Sequence, residues 1–102
     1  METSNIIISK EQIDAWKEKY GNVWKIPLAT GETCYVRAPK IKELEAVQPL
    51  LNQGKFITYN ISLFKTCFLG GDNVENDEVK LMSASGMMMQ TVETVTATVE
   101  KL

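Results

Sequence analysis

The stretch FLGGDNVENDE, residues 68–78, decides how the second half of this chain is read. Large apolar residues run up to it, two glycines interrupt them, and six of the next seven residues are polar or acidic. Such a loop is either a ligand site or a joint between elements. A calcium loop of the EF-hand kind wants oxygen ligands at its first, third and fifth positions, glycine at the sixth and glutamate at the twelfth. Counted from Asp72, the third, sixth and twelfth positions are Val74, Asp77 and Ser83; counted from Asn73, the sixth and twelfth are Glu78 and Ala84. Neither register fits. A phosphate loop needs a basic residue or a row of free amides, and this loop carries the carboxylates of Asp72, Glu75, Asp77 and Glu78. The stretch therefore reads as a joint. Gly70 or Gly71 closes one helix in the left-handed conformation, Asn76 or Asp77 caps the next, and Asp77 and Glu78 sit favourably beside its positive end.

Upstream of the joint, Ile57, Ile61, Phe64 and Phe68 repeat at helical spacing, with Leu63 and Cys67 widening the stripe, which predicts a deeply buried helix over 55–69. Before it, Pro39 suits the first turn of a helix over 40–53 with Ile41, Leu44, Val47 and Leu51 on one face. Pro49 lies inside that run, so the segment reads as one kinked helix or two short ones.

Over 22–37 the period changes to two. Trp24, Ile26 and Leu28 alternate with Val23, Lys25 and Pro27; Ala29-Thr30-Gly31-Glu32 supplies a turn, and Thr33 to Arg37 completes a β-hairpin. Pro27 cannot donate to a ladder, so its strand is an edge or its nitrogen faces outward. Ser9 and Gln12 have capping-box spacing, followed by a helix over 10–19 with Ile13, Trp16 and Tyr20 on one stripe and Gly21 to end it. Neither this helix nor the hairpin can cover its own apolar face. They are expected to pack together, through Trp16 or Tyr20 against Trp24 or Ile26. Residues 1–8 read as a mobile N-terminus.

Downstream, Leu81, Ser85, Met88, Val92, Val95, Val99 and Leu102 follow heptad spacing, which predicts a final helix over 77–102. Residues 91–99 are almost wholly Thr and Val, poor helix formers, so a β-strand there is the rival reading. Ser83-Ala84-Ser85-Gly86 would let another helix approach closely, and Met87-Met88-Met89 reads either as core filler or as adaptable binding surface. The candidate protein-binding residues are the seam positions Met88, Val92, Val95, Val99 and Leu102, to be covered by a client helix or by self-association as a homo-oligomer.

The totals narrow the function classes. A chain of 102 residues supports one domain, 1–102, with a modest core. Eleven basic and 13 acidic residues leave a net charge of -2, which argues against a general affinity for nucleic acid or an anionic membrane. The longest apolar run near the start, Ile6 to Ile8, is too short for a signal-peptide core, no run approaches a membrane span, and the chain reads as cytoplasmic. Cys34 and Cys67 are too few to staple a secreted domain and read as buried free thiols. There is no histidine, which removes the commonest general base and metal ligand. With no nucleophile beside a base and no nucleotide-binding fingerprint, no catalytic, metal or cofactor-binding residue is assigned. The fold class is α+β: an N-terminal helix, one β-hairpin, then a mainly helical C-terminal half of three to four helices.

With these elements in order, the chain resembles a family of small tail assembly chaperone-like proteins encoded by phages and prophages. The matching residues are Tyr20-Gly21-Asn22-Val23 before the hairpin, Pro39 opening a helix, and above all Cys67-Phe68-Leu69-Gly70-Gly71-Asp72 followed by an acidic loop and the ending Glu100-Lys101-Leu102. The resemblance implies a non-enzymatic protein of the host cytoplasm that binds a hydrophobic, helical tail protein, the tape-measure protein, during virion assembly. A head or tail protein retained in the virion is the alternative. The resemblance brings no binding residues with it.

Overall fold

The computed structural model describes residues 7–92 and 95–102. Of the N-terminal segment expected to be mobile, residues 1–6 lie outside the described residues. Helix α1, Lys10–Tyr20, begins at Ser9, whose hydroxyl accepts the Gln12 amide at 3.1 Å, and ends at Gly21, whose amide donates to the Lys17 carbonyl. The hairpin is present: β1, Val23–Pro27, pairs antiparallel with β2, Thr33–Arg37. Helix α2, Ile41–Asn52, and helix α3, Phe56–Cys67, follow, then strand β3, Phe68–Gly71, helix α4, Glu78–Ser85, and a short 3-10 turn, Met88–Thr91. The fold is α+β, as the sequence predicts.

The glycine stretch differs from its reading. Helix α3 stops at Cys67, and Phe68–Gly71 is not its last turn but a third strand, paired antiparallel with β2 to give the sheet order β1-β2-β3. Phe68 pairs with Val36, Gly70 with Tyr35 and Gly71 with Cys34, so Leu69 is the extra residue of a bulge. Both glycines are needed there. Gly71 has φ +100, and a Cβ on it would run into the Thr33 carbonyl oxygen. A Cβ on Gly70 would meet the Trp16 ring at 2.8 Å.

That last contact corrects the expected packing of α1. The helix does lie against the hairpin sheet, but Trp16 stacks on Tyr35, with ring centroids 5.9 Å apart, and on Gly70. Trp24 and Ile26 are not its partners. Side chains alternate across a strand, and Ile26, Cys34 and Val36 face the opposite side, where they are buried with the residues of α3. The sheet is thus the middle layer, with α1 on one face and α2, α3, α4 and the 3-10 turn on the other.

Pro49 neither splits nor ends α2, which is assigned as a single helix through it. Its price is one amide donor, and the helix closes normally beyond it. Gly54, at φ +76, donates to Leu51 at 2.9 Å, and Lys55 donates to Leu50 at 2.8 Å, the paired bonds of a Schellman stop. In α3 the buried stripe is Tyr59, Leu63, Phe64 and Cys67, whereas Ile57 is 55% exposed. Helix α3 packs against α2, α4, β2 and the 3-10 turn, and that crowded setting turns Tyr59 inward and Ile57 outward. Each fully buried large side chain, such as Phe64, Leu63 or Met88, contributes roughly 1.5–3 kcal/mol.

The final helix over 77–102 does not form. Helix α4 ends at Ser85, the chain makes one 3-10 turn, and residues 95–102 have neither helix nor strand. Gly86, a poor helix former just past the end of α4, and the Thr- and Val-rich composition beyond it leave no helix for the heptad spacing to act on. Neither reading of 91–99, helix or strand, is realised in its described residues, and Glu93 and Thr94 lie outside them.

Candidate protein-binding surface

The acidic loop is wired into the sheet and the next helix. Asp72 is nearly buried; its carboxylate accepts the Thr33 amide at 2.9 Å, its own amide donates to the Thr33 carbonyl at 2.9 Å, and its carbonyl faces the Cys34 thiol at 3.4 Å. Asn73 accepts the Glu75 amide, and Glu75 pairs with Lys65 across 3.6 Å of exposed surface. Asp77 caps α4 by accepting from Val79 at 3.0 Å and Lys80 at 3.1 Å. The carboxylates of Asp72, Glu75 and Asp77 thus have separate partners, and the described residues hold no group of three or more His, Cys, Asp or Glu placed to hold a metal ion.

The other ionisable groups with displaced equilibria are also structural. Arg37 grips Glu43 through two bonds of 2.8 and 2.7 Å and reaches the Ala38 and Thr66 carbonyls, joining β2 to the start of α2 and the end of α3. The guanidinium, aided by the Lys40 amide, holds the Glu43 carboxyl down at about 2. Lys80 on α4 pairs with Glu32 in the hairpin turn, and that bond, with one from Thr30, holds Glu32 at about 2. Burial pushes the Cys34 and Cys67 thiols up to about 11, so both stay protonated and unreactive near neutrality.

These ties orient α4 so that one side is committed and the other is not. Leu81, Ala84 and Ser85 are buried against the core, while Val79 is 69% exposed and Met82 46% exposed. On the α3 side of Val79 a groove of about 390 Å³ is lined by Ile57, Ile61, Leu81 and Met82. On the hairpin side a groove of about 330 Å³ is lined by Pro27, Leu28, Lys80 and Met87. Val79 is common to both. With Phe56 and Ile57 at the start of α3 and Met87 after α4 also exposed, the result is an apolar face along and around α4.

The seam residues read from the sequence are not brought together. Met88 is fully buried as the first residue of the 3-10 turn and Val92 is half-buried, whereas Val95, Val99 and Leu102 are exposed on a segment without regular structure. The methionine run divides between the two roles considered for it: Met88 fills the core while Met87 and Met89 lie at the surface. Val79 and Met82 escaped the sequence reading because the heptad seam through Leu81, Ser85 and Met88 took the other side of α4, and Ile57, read as part of the buried stripe of α3, is exposed instead. The available signal was in α4 itself, where Val79 and Met82 repeat at i, i+3 on a face offset from Leu81 and Ala84. No family model, no curated protein and no solved structure matches this chain.

Proposed function

We propose that this protein is a non-enzymatic assembly chaperone of the phage tail kind, which seats an apolar helical segment of a tape-measure-like partner against α4 in the host cytoplasm. The observation that carries this reading is the uncovered apolar face centred on Val79, flanked by a groove on each side. An amphipathic helix fits such a groove by anchors at i, i+3, i+4 and i+7, and the adaptable methionines Met82 and Met87 suit a client with several similar segments. The resemblance carried by Cys67 to Asp72 supplies the class of client. The displaced carboxylates, Glu32 and Glu43, are both held in ion pairs rather than poised beside a nucleophile, which fits a binding role.

Co-expression with the tape-measure protein tests the proposal. The client is expected to become soluble and to co-purify with the native chain, and to lose both with Ile57→Asp or Val79→Asp. Equal client solubility with and without the chain, or capture unaffected by both substitutions, would refute it. Mass spectrometry of purified particles separates a chaperone, absent or far below stoichiometric amounts, from a retained virion component.

A further inference from the structure

Among the described residues no strand pairs with the outer edge of β1, and the alternation of its bonds identifies which groups face that edge. Leu28 donates to Glu32 at 2.8 Å, and the register pairs Ile26 with Cys34 and Trp24 with Val36, so these residues turn their backbone groups toward β2. The intervening residues Val23, Lys25 and Pro27 turn theirs outward. Pro27 offers only a carbonyl, leaving Val23 and Lys25 as the edge donors. The opposite edge, β3, is a poorer template because it is short and carries the Leu69 bulge and the glycine pair.

The segment 95–99 has the complementary character. Val95, Ala97 and Val99 alternate with Thr96 and Thr98, a β-prone pattern as long as β1, and Val95 and Val99 are 89% and 96% exposed. The chain leaves the domain beside β1: Thr91 and Gln90 line one small cavity with Trp24, Lys25 and Pro27. In the same corner the buried Trp24 indole N–H has no hydrogen-bond partner among the described residues. Lys25 is the exposed charge on the edge, and Glu100 follows the segment.

We infer that two copies of this chain pair by strand addition, each laying residues 95–99 along the β1 edge of the other. A second copy is the fitting occupant because the segment stands clear of its own domain while every copy carries both edge and strand, so the exchange closes as a symmetric pair. Pro27, with no donor, ends the pairing at one side and discourages open-ended growth. This interface adjoins the α4 face at Pro27, which also lines the hairpin-side groove, but it does not include Val79.

The test compares the full chain with a full-length variant carrying Thr96→Pro and Ala97→Pro together. Adjacent strand amides point to opposite sides, so one of the two prolines removes a donor aimed at β1 in any register, and both sites are exposed and outside the domain. Light scattering at roughly tens of micromolar should give a dimer for the native chain and a monomer for the variant, with the Lys25 amide exchanging at least about tenfold faster in the variant. A monomeric native chain, or a dimer that survives both prolines, would overturn the inference; so would a monomer whose Lys25 amide is protected, because the segment would then lie on its own β1. Val79→Asp should leave the dimer intact, so loss of client binding and loss of pairing are read separately.

Discussion

The two ends of the helical layer are held in different ways. At the β2–β3 end, Gly71, Asp72, Arg37 and Glu43 join four elements through backbone contact and charged hydrogen bonds, each with a single geometry that satisfies it. At the α4 end, adhesion comes from the apolar burial of Leu81, Ala84 and Met88 and from the ion pair of Lys80 with Glu32, while Val79, Met82 and Met87 face outward. Directional contacts fix a unique arrangement; apolar contact is non-directional and leaves surface that another helix could use. The polar loop is architecture, the exposed apolar side of α4 is the surface proposed for recognition, and substitutions at the two ends should behave accordingly.

The largest expected effect is at Gly71. Alanine there combines a φ of +100, which L-residues rarely adopt, with a collision against the Thr33 carbonyl, and neither can relax without separating β3 from β2. Gly71→Ala should cost about 3 kcal/mol or more. Gly70→Ala meets only the Trp16 ring, which can shift, and should cost nearer 1 kcal/mol. Chemical denaturation of the pair decides this; equal losses would mean that β3 is not held by backbone contact at Gly71.

Next comes the Arg37–Glu43 pair, whose side chains are only 13% and 23% exposed. Glu43→Gln leaves the guanidinium without its anion and should cost about 2 kcal/mol. The folded-state value of Glu43 is depressed to about 2, so its contribution is complete above the unfolded value of about 4.5 and is lost as pH falls from there toward 2. Glu32 acts in the same direction and the same window. Melting temperature should therefore fall between about pH 5 and pH 2 in the native chain, and less steeply in Glu43→Gln. Parallel pH profiles would show that the bond does not form in solution.

The same contrast explains what the sequence disclosed. Ser9 and Gly21 each act on neighbours within a few residues, and β1 and β2 are joined by a five-residue connection, so cap, stop and hairpin were legible locally. Strand β3 was hidden because its partners, Cys34 to Val36, lie more than thirty residues away in the chain and because Phe68 and Leu69 extend the apolar period of α3. The role of Gly71 was read as a helix stop, correct in needing a positive φ and wrong in what it serves. The proposed binding surface was hidden for another reason. Heptad spacing through Val95, Val99 and Leu102 assumes a helix, and Thr and Val at most positions deny it.

A smaller loss is expected at Asp72. Asp72→Asn keeps the shape and an acceptor but removes the charge from the bond to the Thr33 amide, and should cost about 1 kcal/mol. Amide exchange at Thr33 checks it directly, since that proton should be the first in β2 to lose protection. Unchanged exchange there would move the anchor of the loop from the carboxylate to the backbone bonds on either side.

The smallest effect on stability should come from the residue given the largest role in recognition. Val79 is 69% exposed, so Val79→Asp gives up little buried apolar area. Position 79 lies in the first turn of α4, where a negative charge meets the positive end of the helix, although Asp77 and Glu78 already crowd that end with like charge. These opposing terms leave a net change within about 0.5 kcal/mol in either direction. Because the valine is the wall shared by both grooves, the same substitution places a carboxylate wherever a client helix would lie, and capture of the client should be lost while the melting temperature stays nearly constant. A marked loss of stability would mean instead that Val79 is packed in solution, and the α4 face would then belong to the core.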